Sequence, residues 1–407
     1  MNKLESIIKT KEDWKDLVIF GGQSNFTSPL HVGTPNVGDR SRLFERFNDI
    51  LDRRWFSNNG PYVQEFEAYV RDALGVRHCV ATANGTLALE IMMRAAVLQG
   101  EVLLPSFTFV ATAHAMEWQG FTPVFCDIRK GSHSLDPHRV AEMITPRTTA
   151  IVGVHVWGEP CFIDELTQLA ENRNIPLLFD ASHAFGCSYK GKMVGNFGRA
   201  EVFSFHATKF INTFEGGAIT CNDDELAERM RLMRNFGFAG YDNVVSLGIN
   251  GKMNEISAAM GLTMLESKDE IIVINKNNYQ QYKANLKGIV GINLLEINDK
   301  ELRNYQYVVL EVDERLARIQ RDTIMLILHA EGVLARRYFY PGCHRMAPYH
   351  SKKPLHSLSL PNTENLCDRV LLLPSGQRVT LEDIDEICAL IRLIVQNADV
   401  INDKLNG

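Results

Sequence analysis

Seven short apolar runs, separated by amphipathic stretches, constrain the fold of this chain most. The runs are His78–Ala81, Val102–Pro105, Pro123–Asp127, Ala150–His155, Pro176–Asp180, Glu201–Phe205 and Gly217–Thr220. Between several of them lie windows of helical periodicity, at 86–98, 108–119, 137–144 and 162–173. Strands that are apolar throughout and alternate with helices are typical of a mostly parallel sheet covered on both faces. The sequence therefore predicts an α/β domain with seven strands. Because the last two runs follow each other closely, one of them is expected to run antiparallel.

The pattern changes after about residue 290. Segments 307–312 and 335–340 are predicted strands, and segments 318–330 and 381–396 are predicted helices, which indicates a smaller α+β domain. Near the start, residues 1–38 are rich in Gly, Pro, Ser and Asn and are predicted to be mostly irregular. We therefore divide the chain into an N-terminal arm (1–38), a large domain (39–275) and a small C-terminal domain (276–407).

Composition and charge narrow the possible partners. The chain has 407 residues and a formal net charge of −6, which argues against nucleic-acid binding but permits a phosphorylated small molecule. Its eight cysteines form no C-x-x-C pair, and the charged N-terminus lacks the apolar core of a secretory signal. No run of about 20 apolar residues is present. We expect a cytoplasmic protein with reduced thiols and no membrane or nucleic-acid partner.

Polar residues follow four of the predicted strands, where the ligands of such sheets bind. The first group, Asn84-Gly85-Thr86, opens a predicted helix. The free N–H groups and dipole of a helix N-terminus suit a phosphate, although Asn and Thr also cap ordinary helices. The second group includes Phe107 and Phe109. One of these rings could stack on an aromatic cofactor, or both could belong to the core.

The third group begins with Asp180, which closes a fully apolar strand. A buried carboxylate needs a cationic partner. A protonated pyridine nitrogen, an Arg or Lys side chain, or a metal ion shared with His183 would each serve. No motif supplies further metal ligands, so no metal is expected.

The fourth group contains Lys209, which lies 29 residues after Asp180 on the next strand-turn unit. It could be an ordinary surface lysine. In a buried cavity, however, its pKa would fall and the neutral amine could act as nucleophile and base. Ser204 and His206, on one side of the preceding strand, could reach a phosphate or ring substituent. Together the four groups match the requirements for binding pyridoxal 5′-phosphate (PLP).

The same segments resemble a known family. Asn84–Thr86, Pro105–Phe109, Phe179–Ala184, Ser204–Lys209 and Glu215–Ala218 are similar, in this order, to motifs of the nucleotide-sugar aminotransferases (the DegT/StrS family). The resemblance spans roughly residues 30–400. It implies a fold-type I PLP-dependent transferase that acts on a nucleotide-linked keto-sugar and L-glutamate. It also implies a homodimer with active sites at the subunit interface.

The resemblance assigns roles residue by residue. Lys209 matches the Schiff-base lysine, and Asp180 matches the acid on the pyridine nitrogen. The other cofactor positions are Gly85, Thr86 and Ser204 at the phosphate, Phe109 on the ring, His183, and Asn250, which matches an asparagine that reaches the partner subunit's phosphate. Lys252 stands where the family usually has Arg, so a role for that basic position is in doubt.

Segment 336–344 and the residues after Lys209 resemble the 4-aminotransferase branch that makes dTDP-4-amino-4,6-dideoxyglucose. This resemblance implies that Tyr338, Tyr340 and His344 line the sugar pocket, although a structural strand and turn would explain the segment as well. A C3- or another C4-aminotransferase with a different nucleotide sugar, a PLP enzyme of another reaction type, and a non-catalytic PLP-binding regulator remain alternatives.

Overall fold

The computed structural model describes residues 11–96, 99–351 and 358–406. The strands are β1 (Leu30–His31), β2 (His78–Thr82), β3 (Glu101–Pro105), β4 (Thr122–Cys126), β5 (Thr148–Val154), β6 (Leu177–Asp180), β7 (Ser188–Tyr189), β8 (Lys192–Met193), β9 (Ala200–Ser204), β10 (Gly217–Cys221), β11 (Ile292–Leu294), β12 (Val308–Val312), β13 (Val333–Leu334) and β14 (Val370–Leu373). The α-helices are α1 (Arg40–Arg53), α2 (Pro61–Leu74), α3 (Gly85–Ala96), α4 (Val110–Trp118), α5 (Pro137–Met143), α6 (Ile163–Arg173), α7 (Asp224–Arg234), α8 (Glu255–Glu266), α9 (Lys268–Leu286), α10 (Glu314–Ala317), α11 (Arg321–Ala330), α12 (Ala347–His350), α13 (Pro361–Arg369), α14 (Leu381–Gln396) and α15 (Ala398–Asn406).

A seven-stranded sheet forms the centre of the large domain, in the order β2-β10-β9-β6-β5-β3-β4. All its neighbours pair in parallel except β10, which is antiparallel to both β9 and β2. The predicted mostly parallel sheet with one antiparallel strand is therefore confirmed. Six carboxyl ends and the amino end of β10 share one edge, where register places Ser204 opposite Gly217 and Val154 opposite Asp180.

Alternation along the strands explains how helices cover both faces. Val80, Val202 and Ile219 point to a core shared with α3, α4 and α7. Their neighbours Ala81 and Phe203 point to the opposite core, which α2 and α8 cover. Burying both faces accounts for the mostly apolar sequence of these strands. Their interior polar residues, Glu201 and Thr220, are fully buried and bond to the backbone of Gly195.

The small domain is built on an antiparallel sheet in the order β11-β12-β14. Leu310 and Leu371 from this sheet pack with Ile391 of α14 in a separate core. The prediction of a strand over 335–340 is wrong, because this segment makes only a single bridge, between Arg336 and Leu372. The rings of Tyr338 and Phe339 pack in the junction between the domains instead. Short strands such as β11 carry too little periodicity to be found from sequence.

Helix α9 passes from one core to the other. Ile271 belongs to the core of the large domain, whereas Tyr282 and Leu286 belong to that of the small domain. The predicted boundary at 275/276 lies within this helix.

The arm packs against the small domain. Leu17 is fully buried in the small-domain core, and β1 pairs in parallel with β13. Lys11 forms an ion pair with the buried Glu331 (2.7 Å). Residues 1–10 of the predicted arm lie outside the described residues. No helix within the described ranges has the length and apolar character needed to cross a bilayer.

Candidate active site

A cavity of about 650 Å³ opens at the edge of the sheet where the carboxyl ends of the parallel strands meet. Large-domain loops form most of its wall, and the small domain contributes Tyr307, Tyr338 and Phe339. The predicted site residues that line it are Gly85, Thr86, Phe109, Asp180, His183, Ser204, Lys209 and Tyr338. The strand topology thus brings together groups that are up to 253 residues apart in the sequence, from Gly85 to Tyr338.

Helix α3 begins at this cavity. Asn84 caps it, since the side-chain Oδ1 accepts the Leu87 N–H (2.8 Å). The capping role that the sequence left open is therefore present. As at any helix start, the first N–H groups have no intrahelical partners. A Cβ on Gly85 would lie 3.0 Å from Cβ of Ser204. The glycine thus keeps the helix N-terminus close to the Ser204 hydroxyl, and both face a space suited to a phosphate.

Asp180 is 5% exposed at the end of β6. Its Oδ2 accepts a hydrogen bond from the Thr112 hydroxyl (2.8 Å), and its Oδ1 accepts the Ser182 N–H (3.0 Å). Within the described ranges it forms no ion pair with an Arg, Lys or His side chain, and no cluster of three metal-ligating residues was found there. The carboxylate is held in place but lacks the cation that its burial requires, and a protonated ring nitrogen in the cavity would supply one.

Lys209 lies in the turn between β9 and β10. Burial lowers the pKa of its ammonium to about 8, although the Asp180 carboxylate favours the charged form. Its Nζ donates a hydrogen bond to the Tyr307 hydroxyl (3.3 Å). At neutral to mildly basic pH, an appreciable fraction of this lysine is therefore the neutral amine needed for attack on a carbonyl.

His183 is neutral in this site. Burial, and to a lesser degree Lys209, holds its pKa well below the usual range. Its Nδ1 accepts the backbone N–H of Trp157 (3.2 Å), so the neutral ring carries its proton on Nε2. The rings of His183 and Trp157 stack with centroids 5.6 Å apart. His183 therefore acts as an apolar wall with one N–H donor, and it is not placed as a metal ligand.

The two phenylalanines after β3 have different environments. Phe107 is fully buried against Trp157 and Phe339, whereas Phe109 is 54% exposed at the cavity. Phe107 is thus a core residue, whereas Phe109 is exposed at the cavity. Phe109 is free to cover a planar cofactor.

Asn250 does not line the cavity of its own chain. It is exposed and bridges Asn235 in the segment before α8. Lys252 donates a hydrogen bond to Asn235 Oδ1 (3.0 Å) and lies over the ring of Phe236 (4.7 Å). Burial lowers the pKa of Lys252, and the neighbouring Arg234 adds to this effect.

The three predicted sugar-pocket residues separate. Tyr338 lines the cavity, whereas Tyr340 faces an adjoining groove, where Arg337 lies over its ring (4.1 Å). His344 is only 1% exposed and lies in neither space; its Nδ1 contacts the Ser106 hydroxyl (2.7 Å) and its Nε2 contacts Glu364 (3.2 Å). These contacts fasten the segment after Tyr340 to the end of β3. The structural alternative given for this segment therefore describes the contacts of His344, which lines neither the cavity nor the groove of this chain.

Sequence reasoning missed the aromatic wall of the site. The sequence predicts only a strand at Tyr307 and indicates no individual role for Trp157 or Phe339. Trp157 and Phe339 lie parallel, with centroids 5.1 Å apart and planes within 2°. Trp157 has a positive φ of 62°, which no local sequence signal indicates. Only the packing of the small domain on the large one brings these rings together.

These features fit PLP, since a helix N-terminus, an exposed ring, an unpaired buried carboxylate and a lysine of lowered pKa face one cavity. A sequence model of the DegT/DnrJ/EryC1/StrS aminotransferase family matches residues 38–392. The chain belongs to this family. It is a PLP-dependent sugar aminotransferase with a fold-type I architecture, as predicted.

Relatives with named activities agree with the family assignment. The chain is 34% identical to a dTDP-4-amino-4,6-dideoxy-D-glucose transaminase of Shigella dysenteriae, over 90% of this chain and 99% of the relative. It is also 34% identical to a GDP-perosamine synthase of Caulobacter vibrioides, over 89% and 97%. The crystal structure of DesI in the presence of its TDP-sugar product superposes with a TM-score of 0.93 at 46% identity, covering 97% of this chain and all of DesI.

Proposed function

We propose that this aminotransferase moves the amino group of L-glutamate to C4 of dTDP-4-keto-6-deoxy-D-glucose, which gives dTDP-4-amino-4,6-dideoxy-D-glucose. The observation that carries the reaction type is the placement of Lys209 and Asp180 in one cavity. The choice of sugar is supported by the named activity of the Shigella dysenteriae relative and by the TDP-sugar product of DesI.

The proposed cofactor residues divide the work of binding and chemistry. PLP, when bound, supplies a reactive aldehyde and an electron-poor ring that stabilises negative charge on the adjoining carbon. The N–H groups of Gly85 and Thr86 and the Ser204 hydroxyl bind the phosphate. Asp180 keeps a proton on the pyridine nitrogen through a charge-assisted hydrogen bond, and Phe109 covers one face of the ring. His183 encloses the site and excludes water.

Lys209 acts both as the covalent anchor and as the acid-base group. When Nζ is not bonded to the cofactor, it would take the proton from Cα of glutamate and would donate it to the carbon on the cofactor side of the transferred nitrogen. The reverse sequence of proton movements delivers the amine to the keto-sugar. A lysine pKa of about 8 suits both directions, because neither protonation state is strongly disfavoured at neutral pH.

The adjoining groove supports a nucleotide-linked substrate. It has a volume of about 430 Å³ and shares Phe109, Tyr338 and Phe339 with the cavity wall. Arg336 is exposed there, rests over the Tyr338 ring (4.9 Å) and has no carboxylate partner in the part of the chain that the structure describes. Arg337, in contrast, is paired with Asp322 (2.7 Å). An unpaired guanidinium beside aromatic rings suits a diphosphate with its attached base.

These two arginines give a matched test of the nucleotide groove. Arg336→Gln is expected to raise the KM for the nucleotide sugar about 10-fold, because a hydrogen-bonded charge contact is lost, and to leave the KM for glutamate unchanged. Arg337→Gln removes a charge that Asp322 already neutralises and should change the sugar KM much less. Equal effects of the two substitutions would place the diphosphate elsewhere.

We further propose that the enzyme is a homodimer with active sites at the interface. Two stretches support this, since they expose large apolar side chains that a monomer would leave in water. These are Phe44, Leu51, Trp55 and Phe56 in the first, and Phe236, Phe238, Tyr241, Val244, Val245 and Leu247 in the second. Asn250 follows the second stretch directly, and its exposure leaves it free to reach the phosphate of a partner subunit.

Sedimentation of the holoenzyme tests this assembly. Leu247 is 85% exposed, and Leu247→Glu is expected to convert dimers to monomers and to weaken PLP retention, because it puts a charge into an apolar interface. Leu326, 53% exposed on α11, provides the control, and Leu326→Glu should remain dimeric. A monomeric parent enzyme with full activity would rule the proposal out.

A cytoplasmic location is also proposed. All eight cysteines are free thiols, which supports a reducing compartment. Fractionation of the native host tests this proposal. We expect to recover the protein from the soluble fraction of the cell interior.

The proposed reaction is tested by incubating the holoenzyme with L-glutamate and dTDP-4-keto-6-deoxy-D-glucose and identifying the product by NMR. Formation of the 4-amino-4,6-dideoxy sugar supports the proposal. The GDP-perosamine synthases among the relatives make a GDP-linked 4-keto sugar the second candidate. A kcat/KM that is higher with the GDP-linked sugar than with the dTDP-linked sugar, or a product with its amine at C3, would contradict the first assignment.

A further inference from the structure

The hydroxyl of Tyr307 is a group that neither the family assignment nor the proposed reaction uses. Tyr307 stands immediately before β12 in the small domain, 98 residues from Lys209. Its hydroxyl oxygen is 3.3 Å from Lys209 Nζ. No other side-chain hydrogen bond of Nζ is found within the described ranges. This contact joins the reacting amine to the other domain.

The surroundings of Tyr307 fix its position closely. The residue is 9% exposed, and its ring packs against His183 (4.6 Å between centroids) and Trp157 (5.3 Å). Since the ring is held from two sides, the hydroxyl has little freedom to move away from Nζ. The ring and the hydroxyl therefore have separable tasks, the first in packing and the second at the amine.

We propose that Tyr307 is a positioning residue, whose hydroxyl holds the free amine of Lys209 over the site during each half-reaction. When Nζ is detached from the cofactor, a four-carbon side chain with a free end would otherwise sample many rotamers. The hydroxyl accepts an N–H of Lys209 and so keeps Nζ within reach of the carbon that gains or loses a proton. The inference rests on the PLP chemistry of the proposed function but not on the identity of the sugar.

The hydroxyl does not itself exchange the proton. Burial raises the pKa of Tyr307 far above its ordinary value, so it stays protonated at every working pH. The proton therefore moves between Lys209 and the two carbons that flank the transferred nitrogen, and the hydrogen bond to Tyr307 is kept while Nζ is free. The other titratable groups that face Lys209 are Asp180 on β6 and the neutral His183 that follows it. His206 and Glu215 line the same cavity, with their side chains 3.5 Å apart.

Tyr307→Phe tests the role, because it removes the hydroxyl and keeps the ring between His183 and Trp157. In stopped-flow measurements of the holoenzyme with L-glutamate alone, the single-turnover rate is expected to fall about 10-fold, the loss typical of one hydrogen bond to a charged group. The apparent Kd for glutamate should remain within about twofold. The acid limb of the rate profile should also move to lower pH, since the ammonium loses a hydrogen-bond acceptor.

Tyr305→Phe is the matched control. Tyr305 is a buried tyrosine two residues away, whose hydroxyl bonds Asp299 (2.5 Å) and does not line the cavity. The Tyr305→Phe enzyme should retain the single-turnover rate with glutamate and the pH profile of the parent enzyme.

A readout independent of turnover is the rate at which PLP added to each apo-protein acquires the long-wavelength absorbance of lysine-bound cofactor. This rate should fall in Tyr307→Phe and not in Tyr305→Phe. A Tyr307→Phe enzyme that matches the parent in glutamate rate, pH profile and PLP rebinding would overturn the proposal. If the parent enzyme completes the half-reaction with glutamate but does not convert the dTDP-linked keto-sugar, the assignment of the sugar is wrong and the proposed role of Tyr307 is unaffected.

Discussion

The two walls of the active site have different relationships to the sequence. The large-domain wall, with Gly85, Asp180 and Lys209, consists of residues at the start of a helix, at the end of a strand and in a turn between two strands of a regular sheet. The small-domain wall, with Tyr307 and Tyr338, consists of residues whose position depends on how one domain packs on the other. The first wall could therefore be predicted closely, whereas the second was predicted only in part. The difference suggests that the chemistry is set by the sheet edge and that selectivity and positioning are set by the domain junction.

The largest expected effect lies on the large-domain wall. Lys209→Ala removes both the covalent anchor and the acid-base group, so turnover should fall more than about 1000-fold. The long-wavelength absorbance of the lysine-bound cofactor should be lost as well. Appreciable turnover by this variant would mean that another group performs the proton transfers.

Asp180→Asn should have the next largest effect. The amide keeps the shape, and its oxygen can accept the Ser182 N–H, but the Thr112 hydroxyl must turn to accept from the amide nitrogen instead of donating. The amide also cannot hold a proton on the pyridine nitrogen. We expect a loss of roughly 100-fold in kcat, a size consistent with losing a charged hydrogen bond that also stabilises the transition state. Bound PLP, measured by absorbance after gel filtration, should be retained in part. An unchanged kcat would contradict the proposed role of the carboxylate.

Gly85→Ala tests the phosphate end of the same wall. The added Cβ would lie 3.0 Å from Ser204 Cβ and 3.2 Å from its Oγ, so helix and serine must separate by a few tenths of an ångström. We expect the Kd for PLP to rise roughly 10-fold, within the usual cost of overpacking. Titration of the apo-protein with PLP measures this. Gly75→Ala serves as the control for a glycine replacement outside the site. Gly75 has open space around it but a positive φ of 66°, so the alanine strains the helix end and should leave the Kd for PLP unchanged.

The smallest effect on activity is expected at His344 on the small-domain side. His344→Ala removes one hydrogen-bond partner from the buried Ser106 hydroxyl and one from the half-buried Glu364, and it should lower the free energy of unfolding by about 1–3 kcal/mol. The KM for the nucleotide sugar should change little, because His344 lies outside the cavity. Tyr338→Ala should show the opposite pattern, a raised sugar KM with nearly unchanged stability. Thermal melting and steady-state kinetics of both variants separate the two cases, and a raised sugar KM in His344→Ala would return this residue to the sugar pocket.

Features that depend on local sequence patterns could be predicted from the sequence, whereas features that depend on tertiary packing could not. The sheet, its antiparallel strand and the groups at its edge follow from local periodicity and from the shared direction of parallel strands. The strand predicted over 335–340 failed because its apolar residues serve the domain junction and not a ladder. The positive φ of Trp157 and the contact between Tyr307 and Lys209 arise from tertiary packing, which leaves no periodic signal.

The proposed transamination is tested most directly by adding L-glutamate to the purified holoenzyme in the absence of any sugar. The account predicts that the long-wavelength absorbance of the lysine-bound cofactor falls and that one 2-oxoglutarate forms per active site. An unchanged spectrum with no 2-oxoglutarate, from an enzyme shown to contain PLP, would contradict it.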